Sequence, residues 1–386
     1  MMKLRYAGLC VLCALALAAC GKGDKAKETE TAPAAGTAAA PAASKEEKVL
    51  NVYNWSDYIA EDTVANFQKE TGIKVNYDMY DSNEVLETKL LAGNSGYDVV
   101  VPSASFLERQ IKAGVFRKLD KSQLTNLKNM DPEIMQRVAL HDPGNEHAVD
   151  YMWGTSGIGY NADKLQKALP NAPVDTWALV FDPKNAAKLK GCGLTLLDDP
   201  GEITAIVLNY LGKDPNSQSS DDLAAAEKTL MSIRPFVRYI HSSQYIGDLA
   251  NGEVCVSVGY SGDILQSRTR AEEAKKGVTI KYSVPKEGTI IWFDMLAIPA
   301  DAPHPNNAHL FINYIMRPEV TAAISNAMSY ANGNAAALQF VDDAVKNDPG
   351  VYPPPEVKAK LFPDLAKSAE YTRLLNRTWT RFKTGK

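Results

Sequence analysis

Residues 97–102 read Tyr97-Asp98-Val99-Val100-Val101-Pro102. Three β-branched residues in a row, stopped by a proline, predict a short strand. An alternating pattern would leave one face to water. An unbroken apolar run marks a strand covered on both faces, as in a parallel sheet between helices. The flanks agree with this. Upstream, residues 49–54 predict a first strand and about 60–70 a first helix, with Val64 and Phe67 on one face and Gly72 as its stop. Residues 73–79 predict a second strand. Asp81 with Glu84 predicts a capping-box start for a helix ending at Gly93. Downstream, a third helix is expected over about 104–112. Strand and helix alternating in this order predict an α/β fold built on an open parallel sheet.

The Gly-rich stretch 151–161, YMWGTSGIGYN, reads as a connector. Helices and short strands then resume at 200–211, 221–233, 253–260 and 264–276. Another apolar strand is expected over 290–299, followed by helices at 307–316 and 318–327. A Pro-rich stretch at 349–355 precedes a final amphipathic segment. No internal repeat is evident. With 386 residues, 45% of them hydrophobic, the chain is long enough for two domains and a sizeable core. The net charge of −4 and the absence of a basic stripe exclude a nucleic-acid binder.

The amino terminus points to export. Lys3 and Arg5 precede an apolar run over residues 6–19, too short to span a bilayer. Leu17-Ala18-Ala19-Cys20 is similar to a bacterial lipoprotein box. That implies a signal peptide over 1–19 and acylation of Cys20; the other reading is a plain secretory signal with a chance Cys. Residues 21–48 carry no aromatic and no large aliphatic side chain, and predict a disordered tether with a reach of roughly 30 Å. Once the signal is removed, Cys192 and Cys255 remain beside Cys20. An exported compartment and an even pair favour a disulfide between them, and two separate buried thiols are the alternative.

Enzyme motifs are missing. Gly259-Tyr260-Ser261-Gly262 and Gly154-Thr155-Ser156-Gly157 lack the nucleophile-elbow spacing. No phosphate-binding glycine loop follows a strand, and the five histidines form no metal spacing, so no cofactor or metal is expected. His241 beside Ser242 and Ser243 reads as a structural histidine. Aromatic–acid neighbours recur instead: Trp55, Ser56, Asp57 and Tyr58 after the first strand; Tyr260 and Asp263; Trp292 and Asp294; Tyr330. Singly each has an ordinary explanation, Asp263 as a helix N-cap for one. Their placement at element ends in both halves of the chain points to one cleft, because ligands in open α/β sheets sit at the carboxyl ends of strands. Rings that cover methylenes and carboxylates that pair with ammonium groups suit a linear polyamine.

The strings VYNWSDYI, YDVVVPSASFLERQ, YMWGTSGIGYN, NYLGKDPNS, RYIHSSQYIGDLANGEVCVSVGYSGD and YANGNAA resemble the bacterial periplasmic polyamine-binding proteins, of the spermidine/putrescine class. The resemblance runs from about 49 to 386. It implies a two-lobed periplasmic binding protein of the second type, each lobe a mostly parallel sheet flanked by helices. It implies no catalysis, and delivery of the ligand to the membrane subunits of an ABC permease by a monomer at the periplasmic face of a membrane. The implied lobes are 49–153 with 288–326, and 154–287 with 327–386. The implied ligand contacts are Trp55, Ser56, Asp57, Tyr58, Ser103, Glu202, Tyr260, Asp263, Trp292, Asp294 and Tyr330, and the family pattern has a Cys pair at Cys192 and Cys255. Tyr260 stands where many members have Trp, and Trp292 where putrescine-preferring members tend to have Phe. Trp292, with Asp199 as an extra acid near Glu202, leads to an expected preference for spermidine over putrescine. The other function carried forward is a sensor that presents its closed form to a membrane receptor.

Overall fold

The structure, a computed structural model, describes residues 46–386. The expected signal peptide, Cys20 and residues 21–45 of the tether lie outside the described residues. Residues 46–48, read as tether, belong to the folded body. The Glu46 carboxylate accepts from the backbone N–H groups of Asn306 and Asn307 at 3.0 and 3.1 Å. These are orphan donors at the start of the helix Pro305–Ile315, where a negative charge is favoured.

The first lobe is organised around β1 (Val49–Trp55), β2 (Lys74–Tyr80) and β3 (Val99–Val100), with β1 paired in parallel to both others. Val99, Val100 and Val101 are fully buried, as an apolar run in a covered parallel sheet requires. Helix α1 (Thr63–Thr71) packs Phe67 inward, and α2 (Asn83–Leu91) and α3 (Ala104–Lys112) follow. The start of α2 differs from expectation. Ser82, not Asp81, is the cap, its hydroxyl accepting from Val85 N at 3.2 Å. Asp81 is left exposed beside the cleft described below.

The stretch read as a connector is β4 (Ala148–Asn161), the longest strand of the molecule's described part. It runs antiparallel to β9 (Ile290–Ala297) over its first half. Over its second half it pairs antiparallel with β7 (Val256–Tyr260) and β8 (Ile280–Ser283). In the second lobe, β5 (Leu194–Leu196) pairs in parallel with β7 and with β6 (Val237–Ile240). Each lobe thus has parallel pairs at its heart, and two long antiparallel strands join them. The second lobe buries Leu194, Leu196, Ile203, Val256 and Val258; the first buries Leu50, Val52, Phe67 and Phe311.

Glycine disfavours strands, which is why β4 read as a loop. Tertiary packing reverses that preference at Gly154. A Cβ there would meet the Trp292 ring at 2.6 Å. Residues past 327 touch both lobes. Ala331 and Asn334 bridge to Trp153 and Met130, on the first lobe. The helix Ala369–Thr384 packs on the second lobe, with Trp379 Nε1 donating to Asp198 and Arg381 paired to Glu227. Cys192 and Cys255 are joined by a disulfide with Cα atoms 5.4 Å apart.

Candidate functional site

The cleft between the lobes encloses about 820 Å³, its open mouth included. All twelve residues singled out in the sequence line it: Trp55, Ser56, Asp57, Tyr58, Ser103, Asp199, Glu202, Tyr260, Asp263, Trp292, Asp294 and Tyr330. The fold explains the convergence. Trp55–Tyr58 leave the carboxyl end of β1. Ser103 follows β3. Tyr260 and Asp263 straddle the junction of β7 with the helix Ser261–Ala274. Ile290, Trp292 and Asp294 alternate along β9, so the two-residue period of a strand aims all three at the cleft.

Two acids are held by pairs of hydroxyls. Asp294 is buried; it accepts from Ser103 Oγ at 2.6 Å and from Tyr58 OH at 2.8 Å. Asp263 accepts from Tyr330 OH and from Tyr245 OH, both at 2.7 Å. It sits inside its helix and makes no N-cap contact, which removes the capping explanation. Burial pushes the Asp294 carboxyl up to about 7 and the Asp263 carboxyl up to about 6, against the pull of these hydrogen bonds. Glu202 is buried, takes a hydrogen bond from Ser156 Oγ, and is held well above the usual range by desolvation and then by Asp199, Asp364 and Asp294.

Asp199 and Asp57 line the cleft as well, each with a partner in the protein. Asp199 is the N-cap of the helix Pro200–Tyr210, and its Oδ1 accepts from Glu202 N at 2.9 Å. Burial and the nearby Glu84 push its carboxyl up to about 7. Asp57 lies at the mouth, half exposed, and meets Arg270 of the opposite lobe at 3.2 Å. It therefore bridges the lobes with a partner already in hand.

The rings form a box with edges against faces. Trp292 meets Tyr260 and Tyr330 at 5.7 and 5.3 Å between centroids, and Tyr330 meets Tyr58 at 5.2 Å. Trp55 leans on Tyr80 and donates from its indole to Val101 O at 2.9 Å. Sequence reasoning did not select Tyr80, Asp81, Asn83, Phe106 or Asp364, which also line the cleft. Tyr80 and Asp81 stand at the carboxyl end of β2, a signal that was available. Asp364 had none: it arrives because Phe362 and Pro363 pair with Ile290 and Ile291.

Seven carboxylates (Asp57, Asp81, Asp199, Glu202, Asp263, Asp294, Asp364) therefore face the cleft, and no Lys, Arg or His is among the described residues lining it. Such a site selects a cation. Among the described residues no three His, Cys, Asp or Glu side chains cluster as a metal cage. His241 Nδ1 accepts from the backbone of Ser243 and Gln244, both at 3.1 Å, at the start of the helix Gln244–Ala250, which is a structural use.

Two lobes on a shared pair of crossing strands, with a polar and aromatic cleft between them, define a periplasmic binding protein of the second type. Residues 62–353 match the family of bacterial extracellular solute-binding proteins, and the chain belongs to that family. It is similar to the putrescine-binding periplasmic protein SpuD of Pseudomonas aeruginosa (strain UCBPP-PA14), at 57% identity over 355 residues, 91% of this chain and 96% of the relative. It is also similar to the putrescine-binding periplasmic protein PotF of Escherichia coli (strain K12), at 56% over 343 residues, 88% and 93% of the two chains. Among solved structures it resembles the spermidine/putrescine ABC transporter substrate-binding protein PotD from Streptococcus pneumoniae, with a TM-score of 0.72 and 28% identity, covering 88% of this chain and 99% of that one. The family binds solutes and does not catalyse.

Proposed function

We propose that this protein captures a linear polyamine in the inter-lobe cleft, in the periplasm, and hands it to an ABC permease. The observation that carries the reading is the cleft lining: seven carboxylates, no lining cation, and a box of aromatic rings between the acids. An ammonium group buried without a partner is costly, and Asp263, Asp294 and Glu202 offer such partners. Ring faces attract the cations and cover the methylenes. The names of the similar proteins agree with this ligand class.

Putrescine is the ligand we favour. The relatives at 57% and 56% identity are named for putrescine, which does not support the expected preference for spermidine. The geometry weakens one of its two grounds as well, since Asp199, assigned to a third ammonium, spends one oxygen on the helix cap. Trp292 remains the feature that would serve a longer chain. We further propose that Cys20 carries a lipid, on the strength of Leu17-Ala18-Ala19-Cys20, and that the soluble body acts as a monomer. Calorimetric competition of putrescine against spermidine on the wild type and on Trp292→Phe tests the ligand. Tighter putrescine binding by the wild type is expected. Tighter spermidine binding that Trp292→Phe abolishes would reverse the assignment.

A further inference from the structure

Tyr245 touches no solvent and does not line the cleft, yet its hydroxyl serves two residues that do. It donates to Asp263 Oδ2 at 2.7 Å and accepts the Tyr260 backbone N–H at 3.0 Å. The ring lies against β7 at Gly259, where a Cβ would meet Tyr245 Cε2 at 2.6 Å. One phenol oxygen, fixed by a residue with no side chain, thereby ties an acid to the ring beside it. We propose that Tyr245 is a positioning residue: it holds Asp263 as an aimed carboxylate and fixes Tyr260 beside it, so that an ammonium group meets both at once. The inference rests on the polyamine reading of the cleft.

The other groups facing Asp263 are on the page. Tyr330 donates to its second oxygen from the turn after the helix Pro318–Met328. Asp57 opposes its charge from the loop after β1, and Arg270 on its own helix favours it. Asp263 in turn raises the proton affinity of Asp294 on β9. Burial pushes Asp263 up to about 6, and the two tyrosine hydroxyls work against that push. Removing one donor raises the carboxyl further. At neutral pH part of the protein would then hold Asp263 as the neutral acid, which must lose its proton before it can pair with an ammonium group.

The test is Tyr245→Phe in the full-length protein, titrated with putrescine by calorimetry from pH 6 to about 8.5, below the range where the amine itself loses charge. Binding weaker by on the order of 10-fold at neutral pH is expected, from a lost hydrogen bond to a charged group. The defect should shrink as pH rises and Asp263 ionises. A purely structural role would give a loss that does not change with pH. Unchanged affinity, or a pH-independent loss, overturns the inference. A wild type that binds no polyamine overturns the polyamine reading and this inference with it. If Tyr245→Phe does not fold, wild-type protein labelled at the tyrosine Cζ carbons decides the matter. In a Tyr330→Phe background one resonance should still follow the Asp263 titration and lose that dependence when Asp263→Asn is added; no such resonance refutes the proposal.

Discussion

Asp294 and Asp263 show what a single residue costs and provides in this cleft. Asp294 is buried and Asp263 partly so, and each is held by two hydroxyls, so each is ready for a cation before one arrives. Asp263→Asn should weaken putrescine binding by roughly 100-fold or more, because the ammonium group then lacks its charged partner in a desolvated site. The melting temperature of the free protein should hold or rise, since no helix cap is lost and an awkward buried charge is removed. A large drop in melting temperature with little change in affinity would contradict that role. The raised carboxyls also fix a sign. Asp263 near 6, Asp294 and Asp199 near 7 all lie above their unfolded values. They therefore stabilise the free fold below about pH 4, and that contribution is lost as pH rises through about 6 to 7. Bound putrescine supplies positive charge and reverses the penalty. Thermal melts should show a larger putrescine-induced stabilisation at pH 7.5 than at pH 5; an equal or smaller one at pH 7.5 would contradict the acid assignments. The acids and rings were legible because they stand beside one another at element ends. Tyr245 was not, because it lies inside a helix and reaches Asp263 only through the tertiary fold.

At the scale of elements, β4 carries the instructive misreading. Gly154, Gly157 and Gly159 suggested a connector, yet the strand runs unbroken from one lobe to the other. The parallel strands of the first lobe were readable from apolar runs, since burial on both faces leaves a mark in sequence. Nothing local in β4 shows that Gly154 must clear space for Trp292, which is paired opposite it on β9. Gly154→Ala should push that ring into the cleft and weaken polyamine binding by about 10-fold or more, with a loss of stability typical of overpacking, about 1–3 kcal/mol. Calorimetry and melting on the same sample check both. Binding and melting like the wild type would show that the ring has another way to move. The disulfide acts on elements too. It joins Cys192, just before β5, to Cys255, just before β7, across a separation of 63 residues. Restricting the unfolded chain over that length contributes ~4 kcal/mol in the chain-entropy account. Cys192→Ala/Cys255→Ala should therefore melt well below the wild type, while the cleft, built from other ends of these strands, keeps its ligand at low temperature.

At the scale of the molecule, β4 and β9 cross between the lobes, and Arg270 with Asp57 spans the mouth. Closing two acid-bearing lobes around an empty cleft brings like charges together, whereas closing them around a diamine neutralises them. The ligand thus supplies the free energy difference between closed and open forms. The proposed lipid on Cys20 predicts that Cys20→Ala releases the protein from membranes or blocks its processing; a correctly processed variant that stays membrane-bound would place the anchor elsewhere. The two-lobed architecture could be anticipated from the alternation of strands and helices together with the family resemblance. The turn of residues 331–334 back to the first lobe could not, because it depends on backbone bridges to Trp153 and Met130. The central claim is that the acid cleft binds a polyamine through charge. Calorimetric titration of the purified protein with putrescine at pH 6.5, repeated in buffers of different ionisation enthalpy, tests it most directly. Saturable one-to-one binding with release of protons from the cleft carboxyls is the predicted result. No binding of putrescine or spermidine, or binding with no proton released, would contradict it.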